Sequence, residues 1–319
     1  MFTIVGSGFG LYGYLPALVD VFGESVILPA KYEGTINSRP ELQKYRSAIN
    51  WVTDTDAAFA RATGVVLATA PTEQPALVEQ ACRHPGIKTL ILEKPLAPSP
   101  AESMALIDLL MDSGRRYRVG YSLLATRWGR RLDLRNAASD ELLIEWMFTA
   151  HHFSTGLRTW KRQHEHGGGV LRFFGIHLLA LLAREGYQSV TGSILSGDVV
   201  SEPERWQATL EAPGLPPCRI DVDSRAGASR FRVARGPAEA RSDIVDLSEP
   251  FASEEFRPDP REDRRISVLA RLLESTSADD ESFHRLYIAT NEMWRQAESL
   301  AGLHLRTVTA NGSHARDSS

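Results

Sequence analysis

Two side chains in this 319-residue sequence could aim a proton and a positive charge at one reacting oxygen. They are Lys94, in the run Ile91-Leu92-Glu93-Lys94-Pro95, and His177, in Gly175-Ile176-His177. Hydride addition to a carbonyl carbon leaves an alkoxide, so a centre for that chemistry needs a proton donor and a cation at the oxygen. Lys94 ends an apolar run that reads as a strand, at the C-terminal edge where open α/β sheets bind ligands. Pro95 fixes the chain direction just beyond it. The imidazole of His177 titrates near neutrality, which suits proton transfer. The alternative, set by its neighbours Phe173, Phe174, Leu178 and Leu181, is a hydrogen-bonded histidine packed on an apolar helix.

Such a centre needs a hydride carrier. The first turn reads Gly6-Ser7-Gly8-Phe9-Gly10-Leu11, between a strand pattern and a helix pattern. In that setting Gly6 permits the tight turn and Gly8 lets the backbone approach a pyrophosphate. The helix N-terminus adds N–H groups and a positive dipole end. The third fingerprint position is Leu11, with Gly10 one place early, so the match is imperfect. Twenty residues on, where an acid would hold a ribose hydroxyl, stands Lys31, and the nearest acid is Glu33. A cation there pairs with a 2′-phosphate, so NADP(H) is favoured slightly over NAD(H).

Elements that could position these groups are visible in the pattern. Up to about residue 120, continuous apolar runs (FTIVGSG, SVILPA, GVVLATAP, KTLILEKP, YRVGYS) alternate with helical segments, which predicts a doubly wound parallel sheet. After Tyr121 the runs LLIEWMFTAHHF, SVTGSILSGDV, RWQATLEAP, CRIDVDSRAG and SRFRVARG alternate polar and apolar residues. They predict an open, mostly antiparallel sheet around the helix GVLRFFGIHLLALLAREG, with one more helix in DESFHRLYIATNEMWRQAESLAG. The expected division is a dinucleotide-binding domain over 1–120, an α/β substrate and oligomerisation domain over 121–305, and a disordered tail over 306–319.

Composition narrows the function classes. With 36 Lys plus Arg against 40 Asp plus Glu, there is no basic excess to attract nucleic acid or an anionic membrane. No run of about 18 apolar residues marks a membrane span. Two cysteines, Cys82 and Cys218, are too few for a disulfide framework, and the expected location is cytoplasmic.

The segment ILEKPLAPSPAES, following the glycine turn and the Thr69-Ala70-Pro71 turn, resembles the glucose–fructose oxidoreductase/inositol dehydrogenase/rhizopine-catabolism family. So does Gly167-Gly168-Gly169 followed by Gly175-Ile176-His177. The resemblance implies a Rossmann domain joined to an α/β domain that often mediates homodimers or homotetramers. It implies hydride transfer between a nicotinamide and a hydroxyl or oxo carbon of a sugar, inositol or nucleotide sugar. By motif, Lys94 is the cleft lysine and His177 the proton-transferring residue. Thr69, Ala70, Pro71 and Glu93 join the cofactor site. Two departures stand out: Phe173 occupies the place of an Asp four residues before the histidine, and Ala180 that of another three residues after it.

For the substrate, Trp160 and Lys161 lie in a cationic loop, Arg158-Thr159-Trp160-Lys161-Arg162, that could hold an anion while the indole covers a sugar face. Arg172 and Tyr121 are further candidates for an acidic or hydroxyl-rich substrate. The histidine pairs His151–His152 and His164–His166 lack metal-site spacing, so no metal is expected. Alternatives left open are a non-catalytic dinucleotide sensor, and a redox-assisted lyase or hydrolase with tightly held NAD.

Overall fold

A computed structural model describes residues 1–134, 141–237, 239–254, 259–278 and 280–305. The expected tail lies outside the described residues. Strands β1 (Phe2–Val5), β2 (Val26–Pro29), β3 (Ile49–Val52), β4 (Gly64–Leu67), β5 (Thr89–Leu92) and β6 (Arg116–Val119) form a parallel sheet in the order β3-β2-β1-β4-β5-β6. This is the doubly wound arrangement, and its strands read as continuous apolar runs because helices cover both faces. β3 was not read from the sequence: Ile-Asn-Trp-Val is short and only its first residue is buried.

The second sheet has seven strands: β7 (Leu142–Thr149), β8 (Ser189–Gly197), β9 (Arg205–Glu211), β10 (Cys218–Asp223), β11 (Arg225–Arg235), β12 (Ser242–Leu247) and β13 (Gly302–Leu305). Their order is β12-β11-β7-β10-β9-β8-β13. Pairings are antiparallel except β7 with β10 and β8 with β13. Period-two burial puts Trp206, Ala208 and Leu210 inward, while Arg205 and Gln207 bond Asp221 on the outer face. That outer face also carries Arg232 paired with Asp243 and Glu145.

The helix after β1 is wound loosely over Gly10–Tyr14 and Ala17–Val21. The Leu15 N–H reaches back five residues to the Gly10 carbonyl, next to Pro16, which has no N–H to offer. Helices α1 (Gln74–Cys82) and α2 (Pro100–Asp112) follow β4 and β5. Ser99 caps α2: its hydroxyl accepts the Glu102 N–H and bonds the Glu102 carboxylate, with Pro100 at the first helical position. In the second half, Val170–Gly175 is again loosely wound and runs into α3 (Ile176–Glu185). The stretch His164–Glu185 is long and apolar enough to cross a membrane, but 78% of its most apolar window is buried inside the protein.

The last helix, α5 (Asp280–Leu300), packs on α2 and α3. The helix before it, α4 (Ile266–Glu274), was not read from the sequence. It returns to the first sheet, where Ile266, Leu269, Leu272 and Leu273 share a core with Leu11, Tyr14 and Leu15. The larger core runs continuously from Leu67 and Leu92 under the first sheet to Leu182 and Trp206 under the second.

Candidate active site

A cleft of roughly 1630 Å³ runs from the glycine turn, past the end of β5, to the inner face of β7. Its cofactor end is shaped by backbone. A side chain at Gly6, whose φ is +132°, would place its Cβ 2.2 Å from the Ala68 carbonyl oxygen, so β1 and β4 could not approach. Gly8 has open space where a Cβ would project, which leaves room for a phosphate beside the helix start. Gly10 takes the close-packing role expected one position later: its Cβ would lie 2.8 Å from Ile4. Leu11 is fully buried in the core instead, so neither Gly10 nor Leu11 lines the cleft. Ser7, Phe9, Lys31, Thr69, Ala70, Glu93 and Lys94 do; Pro71 packs beside Gly167. These features fit a dinucleotide.

Lys31 lines the outer end of the cleft with Arg39, next to Tyr32. Glu33 is drawn aside by Arg46, at 3.1 Å, and Arg39 approaches Glu41 at 4.0 Å. The Tyr32 hydroxyl accepts the Gly6 N–H at 2.8 Å, clasping the turn from the second strand.

Lys94 precedes a cis peptide bond to Pro95 and is 9% exposed. Its Nζ donates to the Phe173 carbonyl at 2.6 Å and sits 3.8 Å from the centre of the Phe173 ring. A backbone oxygen and an aromatic face therefore hold the ammonium. Burial pushes the lysine down to about 7, with the Arg265 and Lys161 cations adding to the effect and Glu93 opposing it. The Glu93 carboxylate accepts the Tyr14 hydroxyl at 2.7 Å, and burial raises its pKa. The turn itself is braced by Gln74, whose buried amide donates to the Glu93, Pro95 and Leu96 carbonyls at 2.8, 3.3 and 3.0 Å.

His177 enters the cleft from the start of α3, with Nδ1 buried and unpartnered. Burial, then the nearby Lys94 and Arg265 charges, push its pKa well below the ordinary value. The glycine run explains how this helix and the cationic loop meet. A Cβ at Gly168 would fall 2.1 Å from the Trp160 carbonyl oxygen, and the Gly169 N–H bonds the Lys161 carbonyl at 2.9 Å. The loop is thereby pressed against the helix start, and Trp160 and Lys161 reach the cleft.

Two substrate candidates are placed elsewhere. Arg172 turns away from the cleft: it donates two hydrogen bonds to the Glu298 carboxylate, at 2.5 and 2.7 Å, and donates to the Pro98 and His164 carbonyls. Its donors are consumed in tying the segment before α3 to α5. Tyr121 stands behind His177, edge-on at 6.5 Å and 3% exposed, with Tyr287 on its other side. His284 stacks on Tyr117 outside the cleft. Among the described residues no three His, Cys, Asp or Glu side chains are grouped for a metal.

Several cleft residues were not anticipated. Arg265, just before α4, is held by Asp263 at 2.9 and 2.7 Å and lies 4.1 Å from the centre of the Phe9 ring, over the glycine turn. Trp146 and Phe148 on β7 and His152 after it join Phe173 and Phe174 at the other end. Only the alternation in LLIEWMFT signalled that Trp146 and Phe148 face inward.

No family model and no curated protein matches the chain. Solved structures do match its fold. An oxidoreductase from Agrobacterium radiobacter, in complex with NAD+, L-tartaric acid and magnesium, has a TM-score of 0.70 at 15% identity, covering 94% of this chain and 95% of its own. The WlbA dehydrogenase from Bordetella pertussis, in complex with NADH and UDP-GlcNAcA, scores 0.67 at 14% identity, covering 93% and 95%. A 3-ketoreductase from Actinomadura kijaniata, in complex with NADP and TDP-benzene, scores 0.67 at 12% identity, covering 96% and 99%. The chain has the fold of these oxidoreductases.

Proposed function

We propose that the protein is an NAD(P)-dependent oxidoreductase acting on a hydroxyl or oxo carbon of a sugar, nucleotide sugar or related polyol. The observation that carries this reading is the convergence of Lys94 and His177 in one cleft with the glycine turn. A non-catalytic dinucleotide sensor would have no use for a buried lysine and histidine facing the same space. The bound cofactors of the structurally similar dehydrogenases support the same reading.

A nicotinamide bound there would supply or accept the hydride. Gly6 to Phe9 would hold its pyrophosphate, and Thr69, Ala70 and Glu93 would border the ring. Lys94 aims its ammonium at the substrate oxygen and stabilises the charge that develops there. With a pKa brought to about 7 by burial, Lys94 can also give up and regain the proton. His177, kept neutral by its surroundings, orients the substrate hydroxyl or relays that proton. This shifts the main proton-carrying role from the histidine to the lysine. Lys31 and Arg39, with Glu33 turned aside, favour NADP(H) through its 2′-phosphate.

Free thiols at Cys82 and Cys218 suit the cytoplasm, and the exposed Ile194 and Ile244 on the second sheet suit a homodimer or homotetramer that covers them. The test is a fluorescence titration of purified protein with NADPH and NADH. Binding of NADPH, tighter than NADH, is the expected result; no binding of either by folded, nucleotide-free protein would overturn the assignment.

A further inference from the structure

A cation from late in the chain is brought to the glycine turn. Arg265 stands just before α4, and its guanidinium carbon lies 4.1 Å from the centre of the Phe9 ring, in the cleft with Gly6, Ser7 and Gly8. Asp263 grips it three times. The carboxylate accepts the Arg265 backbone N–H at 2.8 Å, Nε–H at 2.9 Å and Nη2–H at 2.7 Å. That grip does not use Nη1. The helix behind is equally fixed: Ile266 and Leu269 are fully buried against the helix after β1, and a Cβ on Gly13 would lie 2.9 Å from Leu269. The guanidinium is therefore set over the turn in advance, which spares a ligand the cost of ordering a long side chain.

Its place is electrostatically awkward while the cleft holds no anion. Burial lowers the pKa values of Lys94, Lys161 and His177, and the Arg265 charge lowers each of them further. An anion seated among these groups offsets that repulsion. The space for one lies at Gly8, where nothing stands within 4 Å of a Cβ. Cations are also spread along the cleft in the way an extended dinucleotide needs. Lys31 and Arg39 stand at the outer end, with Arg39 over the Tyr12 ring at 5.6 Å, and Lys94 stands at the reacting end. Arg265 is beside the turn itself, where a doubly negative diphosphate would otherwise meet only the partial charges of backbone N–H groups.

We propose that Arg265 binds the diphosphate of the dinucleotide, donating from the segment before α4 to phosphate oxygens seated at Gly8. Asp263 is the positioning residue that aims it. This inference rests on the oxidoreductase reading and adds to that site a binding residue that no sequence motif marks. The cofactor's negative centre is then held from two directions, by main chain after β1 and by one guanidinium from far along the chain.

The test uses the full chain freed of nucleotide. Dissociation constants are read for NADPH and NADH by nicotinamide fluorescence, and for ADP-ribose by calorimetry. Arg265→Gln should weaken all three by one common factor, about tenfold, the loss of a charge-assisted contact. Arg265→Lys keeps the charge and loses the fork, so it should recover most of that affinity. The double variant Asp263→Asn/Arg265→Gln removes both members of the pair, leaves no orphaned carboxylate to disturb folding, and should match Arg265→Gln. Unchanged affinity in Arg265→Gln overturns the proposal. So does recovery in the double variant, which traces the loss to Asp263. A loss confined to NADPH moves Arg265 to the 2′-phosphate, and a loss that spares ADP-ribose moves it to the nicotinamide; either overturns the assignment. Wild-type protein that binds none of the three nucleotides overturns the cofactor reading itself, a failure visible before any variant is made.

Discussion

The two ends of the cleft are built by different means. At the cofactor end the surface is mostly main chain: glycines that let strands approach, a helix start, and a turn whose carbonyls are pinned by Gln74. At the substrate end it is side chains: aromatic rings from β7, from the loop at Trp160 and from the segment before α3, with lysines set among them. Main-chain sites tolerate few residue types, so they leave motifs. A side-chain site can be lined in many ways by residues far apart in sequence, so it leaves almost none.

Breaking the junction between the two ends should have the largest effect. Lys94→Met is expected to lower turnover by roughly 10²–10³-fold while cofactor affinity stays within about tenfold. Rates of NADPH oxidation and the fluorescence titration check both, and an unchanged rate would remove Lys94 from the reacting oxygen. Second in size is Gln74→Leu, which deprives three buried carbonyls of their donor. A loss of roughly 2–4 kcal/mol in denaturant stability is expected, at about 1–3 kcal/mol per unsatisfied group with partial relaxation. If stability held within about 0.5 kcal/mol, the turn would not depend on that amide.

The proton inventory sharpens the comparison further. Because burial brings Lys94 to about 7, ketone reduction should slow as pH rises through that value, since the donor is lost, while alcohol oxidation should speed up. A kcat/KM profile for reduction that stays flat between pH 6 and 8.5, on the order of that window, would move the proton to another group. In the cofactor-free protein the sign for stability is opposite. The unfolded chain, with an ordinary lysine near 10.4, binds the proton more readily, so stability should rise with pH from about 7 to about 10. Lys94→Met should abolish that rise. The smallest effect concerns selectivity alone: Lys31→Asp should weaken NADPH about tenfold and spare NADH, a like-charge contact with phosphate costing roughly 1.4 kcal/mol. An equal change for both cofactors would place Lys31 outside the phosphate site.

What could be read from residues alone follows this contrast. The glycine turn, Glu93-Lys94-Pro95, the triple glycine and His177 all stood out, because each is a local constraint written in adjacent letters. The missing acid at Phe173 was visible too. Its replacement was not, because the partner of Lys94 is the Phe173 carbonyl, which every residue possesses. Arg172 was read as a substrate contact because a cation beside a motif suggests a ligand. It is instead consumed by Glu298, a residue 126 positions away. Arg265 likewise depends on contacts between distant segments, and the alternation around Trp146 and Phe148 marks their face of β7 but not the rings they meet.

The return of α4 to the first sheet bears on how the chain is made. Ile266, Leu269, Leu272 and Leu273 complete a core begun by Leu11, Tyr14 and Leu15. Each such side chain contributes roughly 1.5–3 kcal/mol when buried, and together they rival the whole stability of a typical domain, about 5–15 kcal/mol. A ribosome that has finished residue 120 has therefore supplied all six strands and the helices on them, but not α4. The helix after β1 keeps an apolar flank open until some 150 further residues emerge, roughly 10–30 seconds at ordinary synthesis rates. Order of synthesis and order of completion differ here, and the first part of the protein to be made is among the last to be closed.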